Sequence, residues 1–211
     1  MDIANILSIA TQAVLKPEAL WEKEAKEPID WRTLLMQKAL PVIAGVSIVS
    51  GLLLKIFGYH IPMIGVVRPT MSDTLIQMVG TVVIYLISLA VLGWIAAYIA
   101  GMLGGQNEMN SAVSMLFWVS IPSLLGQVLG TLPLVGWIFS MGLGIYSLVL
   151  LYRAIPVFLH VPIEQRVKHF IFFLIAAFVV SMLLGMTLGQ LFAPHQMMEQ
   201  MRQDAILHST K

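Results

Sequence analysis

Apolar positions along this chain fall into five long runs separated by short polar loops, at about residues 40–57, 75–101, 112–130, 134–151 and 170–192. An α-helix rises about 1.5 Å per residue, so roughly 20 apolar residues cross a hydrocarbon core of about 30 Å. The pattern predicts an all-α, polytopic membrane bundle of five transmembrane helices, with an N-terminal amphipathic helical segment before it and a polar tail after it. The second run is longer than a crossing needs, which predicts tilt. The third and fourth meet at Thr131-Leu132-Pro133, a turn too short to hold a domain, and read as a helical hairpin. Pro122 lies inside the first arm and Pro156 just beyond the second. A proline in a membrane helix is tolerated when neighbouring groups take over the freed carbonyls, and Ser120 lies close enough to help.

Residues 1–38 form a different kind of segment. Ile3, Ile6, Leu7, Ala10, Ala13 and Val14 recur at helical spacing, and Pro17 is well placed to open a second helix. That second piece is dense in charge of both signs and ends before Pro28. Asp30 then caps a third short helix carrying Trp31, Leu34 and Leu35. The expectation is that this segment lies in the lipid headgroup region with Trp21 and Trp31 at the interface. The alternative is that it docks a partner or the loops of its own bundle. The remaining 194–211 are a polar tail.

Local signals refine the spans. Thr70 followed by Asp73 matches a capping box and predicts the start of the second span's helix. Three stripes of small residues recur at four-residue steps: Gly93, Ala97 and Gly101; Gly126 and Gly130; Ser181, Gly185, Gly189 and Ala193. Such stripes let helix backbones approach closely, within one chain or between copies. With the N-terminus inside, eight lysines and arginines fall on the cytoplasmic side and four outside, which favours a cytoplasmic N-terminus and an external C-terminus. The N-terminus shows no basic region or cleavage site of a signal peptide, so the first span is expected to direct insertion.

Composition agrees with the pattern. The 211 residues are 58% hydrophobic and 11% charged, with a mean hydropathy of +0.87. An ordinary soluble domain has about 25% charge. A net charge of +1 gives no footprint for nucleic acid, and without cysteine there is no disulfide or thiol chemistry. No carboxylate pair, HExxH, GxSxG or P-loop pattern occurs, so a noncatalytic protein without cofactors is expected. No acidic residue falls inside a run, which weighs against an ion-coupled transporter. His195, Met197, Met198, Met201 and His208 have soft ligands of a kind that suits Cu(I), but methionine is scattered throughout and no metal site is assigned.

The fourth span leaves the bilayer through Tyr146-Ser-Leu-Val-Leu-Leu-Tyr152-Arg-Ala-Ile-Pro156. Gly104-Gly105, Ser120-Ile-Pro122 and Pro133-Leu-Val-Gly136 precede it in order. Lys16-Pro17, Leu20-Trp21-Glu22 and Leu40-Pro41 lead into the first span. Together these motifs resemble the Yip family of five-span membrane proteins, whose eukaryotic members are Ypt/Rab-interacting proteins, and specifically its bacterial branch. The resemblance runs from about residue 15 to 192. It implies a multi-pass protein of the bacterial inner membrane with a membrane-organising or partner-binding role. The eukaryotic Asp-Leu-Tyr-Gly-Pro signature is absent, so Rab-type GTPase binding does not carry over. Arg153 also stands where the bacterial pattern usually has an uncharged residue.

The candidate interaction residues are Trp21, Trp31, Tyr146, Tyr152, Arg153, Arg166 and Lys168. Tyr152 and Arg153 read most simply as interface anchors. His160, Arg166, Lys168 and His169 read as a solvated basic elbow open to headgroups or a partner. Trp94, Trp118 and Trp137 read as belt or packing residues. The expected partners are the lipid bilayer, a membrane or cytoplasmic protein, and a second copy of the chain in a homo-oligomer. The function reading is a scaffold or adaptor, with a small-solute or ion channel or transporter as the alternative.

Overall fold

The computed structural model describes residues 17–61 and 65–191. The helix expected over the first fourteen residues and the His/Met tail lie outside them. The helices, in order, are α1 (Pro17–Lys26), α2 (Trp31–Phe57), α3 (Met71–Met102), α4 (Met109–Leu129), α5 (Gly136–Leu159) and α6 (Arg166–Leu191). Helices α2 to α6 are each long and apolar enough to cross a bilayer. The chain is an all-α polytopic membrane bundle, as its pattern predicts. A small antiparallel hairpin, β1 (Tyr59–Ile61) with β2 (Gly65–Val67), occupies the α2–α3 connection.

Prolines account for where the helices outrun their predicted limits. The short helix expected from Asp30 does form, with Asp30 Oδ2 accepting from the backbone N–H groups of Arg32 and Thr33 at 3.1 and 3.3 Å. It does not stop before the first span. A π-helical turn, Leu35–Ala39, joins it to Leu40–Phe57, so α2 is one helix. Pro41 cannot donate to the Gln37 carbonyl, and the wider turn sits directly before it.

Pro156 likewise lies within α5, not beyond it. Its missing N–H frees the Tyr152 carbonyl, and Arg166 Nε donates to that oxygen at 2.7 Å. The helix ends three residues later at Leu159, and His160 caps it in the left-handed region (φ 50°). Around Pro122, Ser120 Oγ donates to the Phe117 carbonyl at 2.7 Å, and the backbone N–H of Ser123 donates across to Ser147 Oγ of α5 at 2.9 Å. The Thr70 cap of α3 forms as expected, its hydroxyl accepting from the Asp73 N–H at 3.1 Å.

Helix α4 is the most buried span and packs against α2, α3 and α5. The apolar core is concentrated at the end of the bundle that carries α1. Leu34, Ala39 and Ile43 of α2, Ala96 and Ala100 of α3, Val113, Met115 and Phe117 of α4, and Ala154, Ile155 and Phe158 of α5 are all buried there. Towards the β-hairpin end the helices turn apolar faces outward, including Ile48, Leu52, Val79, Ile138 and Met182. Lipid is the natural solvent for those faces. Helix α6 is the least buried span.

Two of the three small-residue stripes are contacts within the chain. A Cβ at Gly93 would collide with Val113 of α4, and Ala97 beside it is buried. A Cβ at Gly126 would sit 3.3 Å from the Ser140 Cα of α5. The third stripe differs: nothing lies within 4 Å of where a Gly185 Cβ would be, and Ser181 faces outward.

Candidate interaction surface

Helix α1 carries few apolar residues, and the fold spends them on the protein instead of on lipid. Trp21 is 1% exposed and packs edge-on against Phe158 of α5, with ring centroids 6.4 Å apart. This corrects the expectation that Trp21 rests among headgroups. An apolar ring in a groove between helices gains close packing that a disordered interface cannot supply.

Two ion pairs flank that ring. Glu24 pairs with Lys38 of α2 at 3.0 Å, both partly buried, and also accepts from Trp118 Nε1 of α4 at 3.3 Å. Lys38 Nζ stands 5.3 Å from the centre of the Trp118 ring. One carboxylate therefore joins three helices, and Trp118 is a buried partner of it, not a belt residue. Glu18 pairs with Arg153 of α5 in the open. Exposed pairs of this kind contribute little to stability, so the anchoring of α1 rests chiefly on Trp21 and the Glu24 cluster.

Trp31 is half-buried against the core. Its backbone N–H donates to Asn110 Oδ1 at 2.9 Å, and the Arg32 guanidinium lies 5.2 Å from its ring centre. It is fastened to the start of α4 and is only partly available to lipid.

The basic elbow divides into inward and outward residues. Arg166 lies 3.9 Å from the centre of the Tyr152 ring while holding the carbonyl freed by Pro156. Tyr152 in turn packs edge-on against Phe170, centroids 5.4 Å apart. His169 is fully buried, with Nε2 3.0 Å from the Ala96 carbonyl of α3. Arg166 and His169 therefore belong to the packing between helices, which corrects the reading of the whole elbow as solvated. Lys168, His160 and Glu164 remain exposed.

Tyr146 is half-buried against the core. It lies two turns from Arg153, about 10 Å along the helix. The structure therefore unites Tyr152 with Arg166, and Arg153 with Glu18. Sequence reasoning missed Glu18, Glu24 and Lys38. Their partners lie 14 to 135 positions away, and nothing local marks them.

The connections at this end brace one another. Gly104 takes φ 81°, a conformation that favours glycine. At Gly105 a Cβ would lie 2.6 Å from the Leu159 carbonyl, while the Gln106 N–H donates to that same oxygen at 2.8 Å. The Gly104-Gly105 pair thus ties the α3–α4 loop to the end of α5. Trp94 and Tyr98 stack with centroids 5.9 Å apart and are exposed near the level of His169, where α6 turns from charged to apolar sequence. That is the position of an interfacial belt.

What this end presents outward is a composite surface. The charged side of α1 (Glu18, Glu22, Lys23, Lys26) is exposed, as are Glu27 just beyond it, Arg153, His160 and Lys168. Among the described residues no group of three or more His, Cys, Asp or Glu is arranged to hold a metal ion.

Five apolar spanning helices with a helical segment folded onto one end define a multi-pass integral membrane protein. The model of the Yip1 domain matches residues 11–185. The chain belongs to the Yip1 domain family. Comparison with curated proteins and with solved structures returned no match.

Proposed function

We propose that this protein is a noncatalytic scaffold or adaptor of the bacterial branch of its family, placed in the inner membrane with its N-terminus in the cytoplasm. It binds a protein partner through the surface built by α1 and the adjoining loops. The observation that carries this reading is the way α1 is held. Trp21 and Glu24 face the bundle, while Glu22, Lys23, Lys26 and Glu27 face away from it. A helix fixed by its apolar side presents a rigid, mixed-charge side, which favours recognition by complementary charge.

The packing also supports a scaffold over a conduit. The small cavity at the β-hairpin side, lined by Ser47, Ser50, Gln77, Thr81 and Gln127 together with Leu54 and Met78, has a volume of about 40 Å³. Buried apolar side chains such as Ile43, Phe117 and Ile155 fill the bundle towards the α1 end. A conduit would need a continuous polar path between the two ends.

The test is recovery of partners by crosslinking and pull-down from native membranes. The comparison is wild type against Glu22→Lys combined with Lys26→Glu, two exposed substitutions that leave Trp21 and Glu24 in place. The variant should insert and melt like wild type and lose at least tenfold in recovery of specific partners. Unchanged recovery, or solute flux through the purified protein in liposomes, would sink the adaptor reading.

A further inference from the structure

Near the β-hairpin end the buried apolar core thins out, yet α2, α3 and α4 still meet. In hydrocarbon there is no hydrophobic drive to hold helices together, so polar contacts and close packing must do it. Ser47 Oγ of α2 donates to the Met78 carbonyl of α3 at 2.9 Å. One turn on, Ser50 is 5% exposed, and its hydroxyl oxygen is buried without a hydrogen-bond partner. Both serines line the cavity of about 40 Å³, together with Gly51, Gln77, Thr81 and Gln127.

A hydroxyl sequestered from every partner is costly, and more so within a bilayer. Ser88 and Thr187 of this chain avoid that cost by donating to the carbonyl four residues back, at 2.7 Å each. Ser50 does not take that route. A single water needs about 10–15 Å³ of such space and two to four polar partners. The lumen has room for about three, and hydroxyls and carboxamides from three helices border it.

We infer that this cavity is a structural water site, in which a small cluster of ordered waters bonds Ser50 Oγ and bridges it to Gln77, Thr81 and Gln127. The bound water joins the ends of α2, α3 and α4 where the apolar core no longer does. The site stands independently of the adaptor reading, because it lies at the other end of the bundle and requires no partner.

A map of the wild-type protein in nanodiscs, at a resolution that shows waters, tests this directly. Density is expected within hydrogen-bond distance of Ser50 Oγ. An empty lumen, or one filled by an acyl chain, overturns the inference. The sign of a melting shift gives a second reading. If water satisfies Ser50, Ser50→Ala removes a hydrogen bond and lowers the midpoint by about 2–4 °C. If the cavity is dry, the same substitution deletes an unpaired hydroxyl, and a midpoint above wild type contradicts the proposal.

Discussion

Replacing Trp21 by alanine should destabilise the whole protein by about 3–5 kcal/mol, the usual cost of truncating a fully buried aromatic residue. The ring is 1% exposed and its Nε1 has no hydrogen-bond partner, so the loss is one of packing against Phe158 and its neighbours. Exposed Trp94 is the control, and Trp94→Ala should fall within about 0.5 kcal/mol of wild type in detergent. Thermal melts provide the first readout and limited trypsin digestion the second. Lys23 and Lys26 are exposed, but the docked helix holds their backbone; in Trp21→Ala that protection is lost. If Trp21→Ala melts like wild type and resists trypsin, α1 is not anchored by this ring and the headgroup reading returns.

The second large effect is expected at Gly93. A side chain there overlaps Val113 Cγ2 of α4 at once, and with the Val113 Cα 3.4 Å from the Cβ position there is no room for the rest of a leucine. Gly93→Leu should therefore prevent stable folding or lower the melting midpoint by well over about 5 °C, because overpacking of a close contact forces helices apart. Gly185→Leu should change the melt little, since space is open around Gly185. Equal behaviour of the two variants would contradict the packing of α3 on α4. A large loss at Gly185 alone would place a second copy of the chain against α6.

Those two glycines show what the sequence could and could not reveal. Both sit in stripes of the same four-residue spacing. Spacing makes a helix face smooth, but it does not say what meets that face, so Gly93 packs on α4 while Gly185 has open space around it. The five spans were legible because length and hydropathy alone decide which helices cross a bilayer. The extent of α2 and α5 was not, because a proline reads locally as a stop. Arg166 rescues the carbonyl freed by Pro156 from the next helix, and a π-helical turn absorbs Pro41.

The surface was legible only in part. A lone tryptophan in a charged helix fits a headgroup layer and a protein groove equally well by pattern. The groove is made by α4 and α5, which begin at Met109 and Gly136, far from Trp21 in the chain. The Glu24, Lys38 and Trp118 cluster was hidden for the same reason, its members being joined only once three helices have packed.

The most direct test of the account asks which side of the membrane α1 occupies, since a partner surface in the cytoplasm requires it to be there. The chain has no cysteine, so Glu22→Cys places a single thiol on the exposed side of α1. A membrane-impermeant maleimide should label it in inverted vesicles and leave it unlabelled in right-side-out ones. Leu134→Cys, at the turn between α4 and α5 where Leu134 is 91% exposed, should show no preference for inverted vesicles. Labelling of Glu22→Cys from the outside would reverse the orientation and contradict the proposed function.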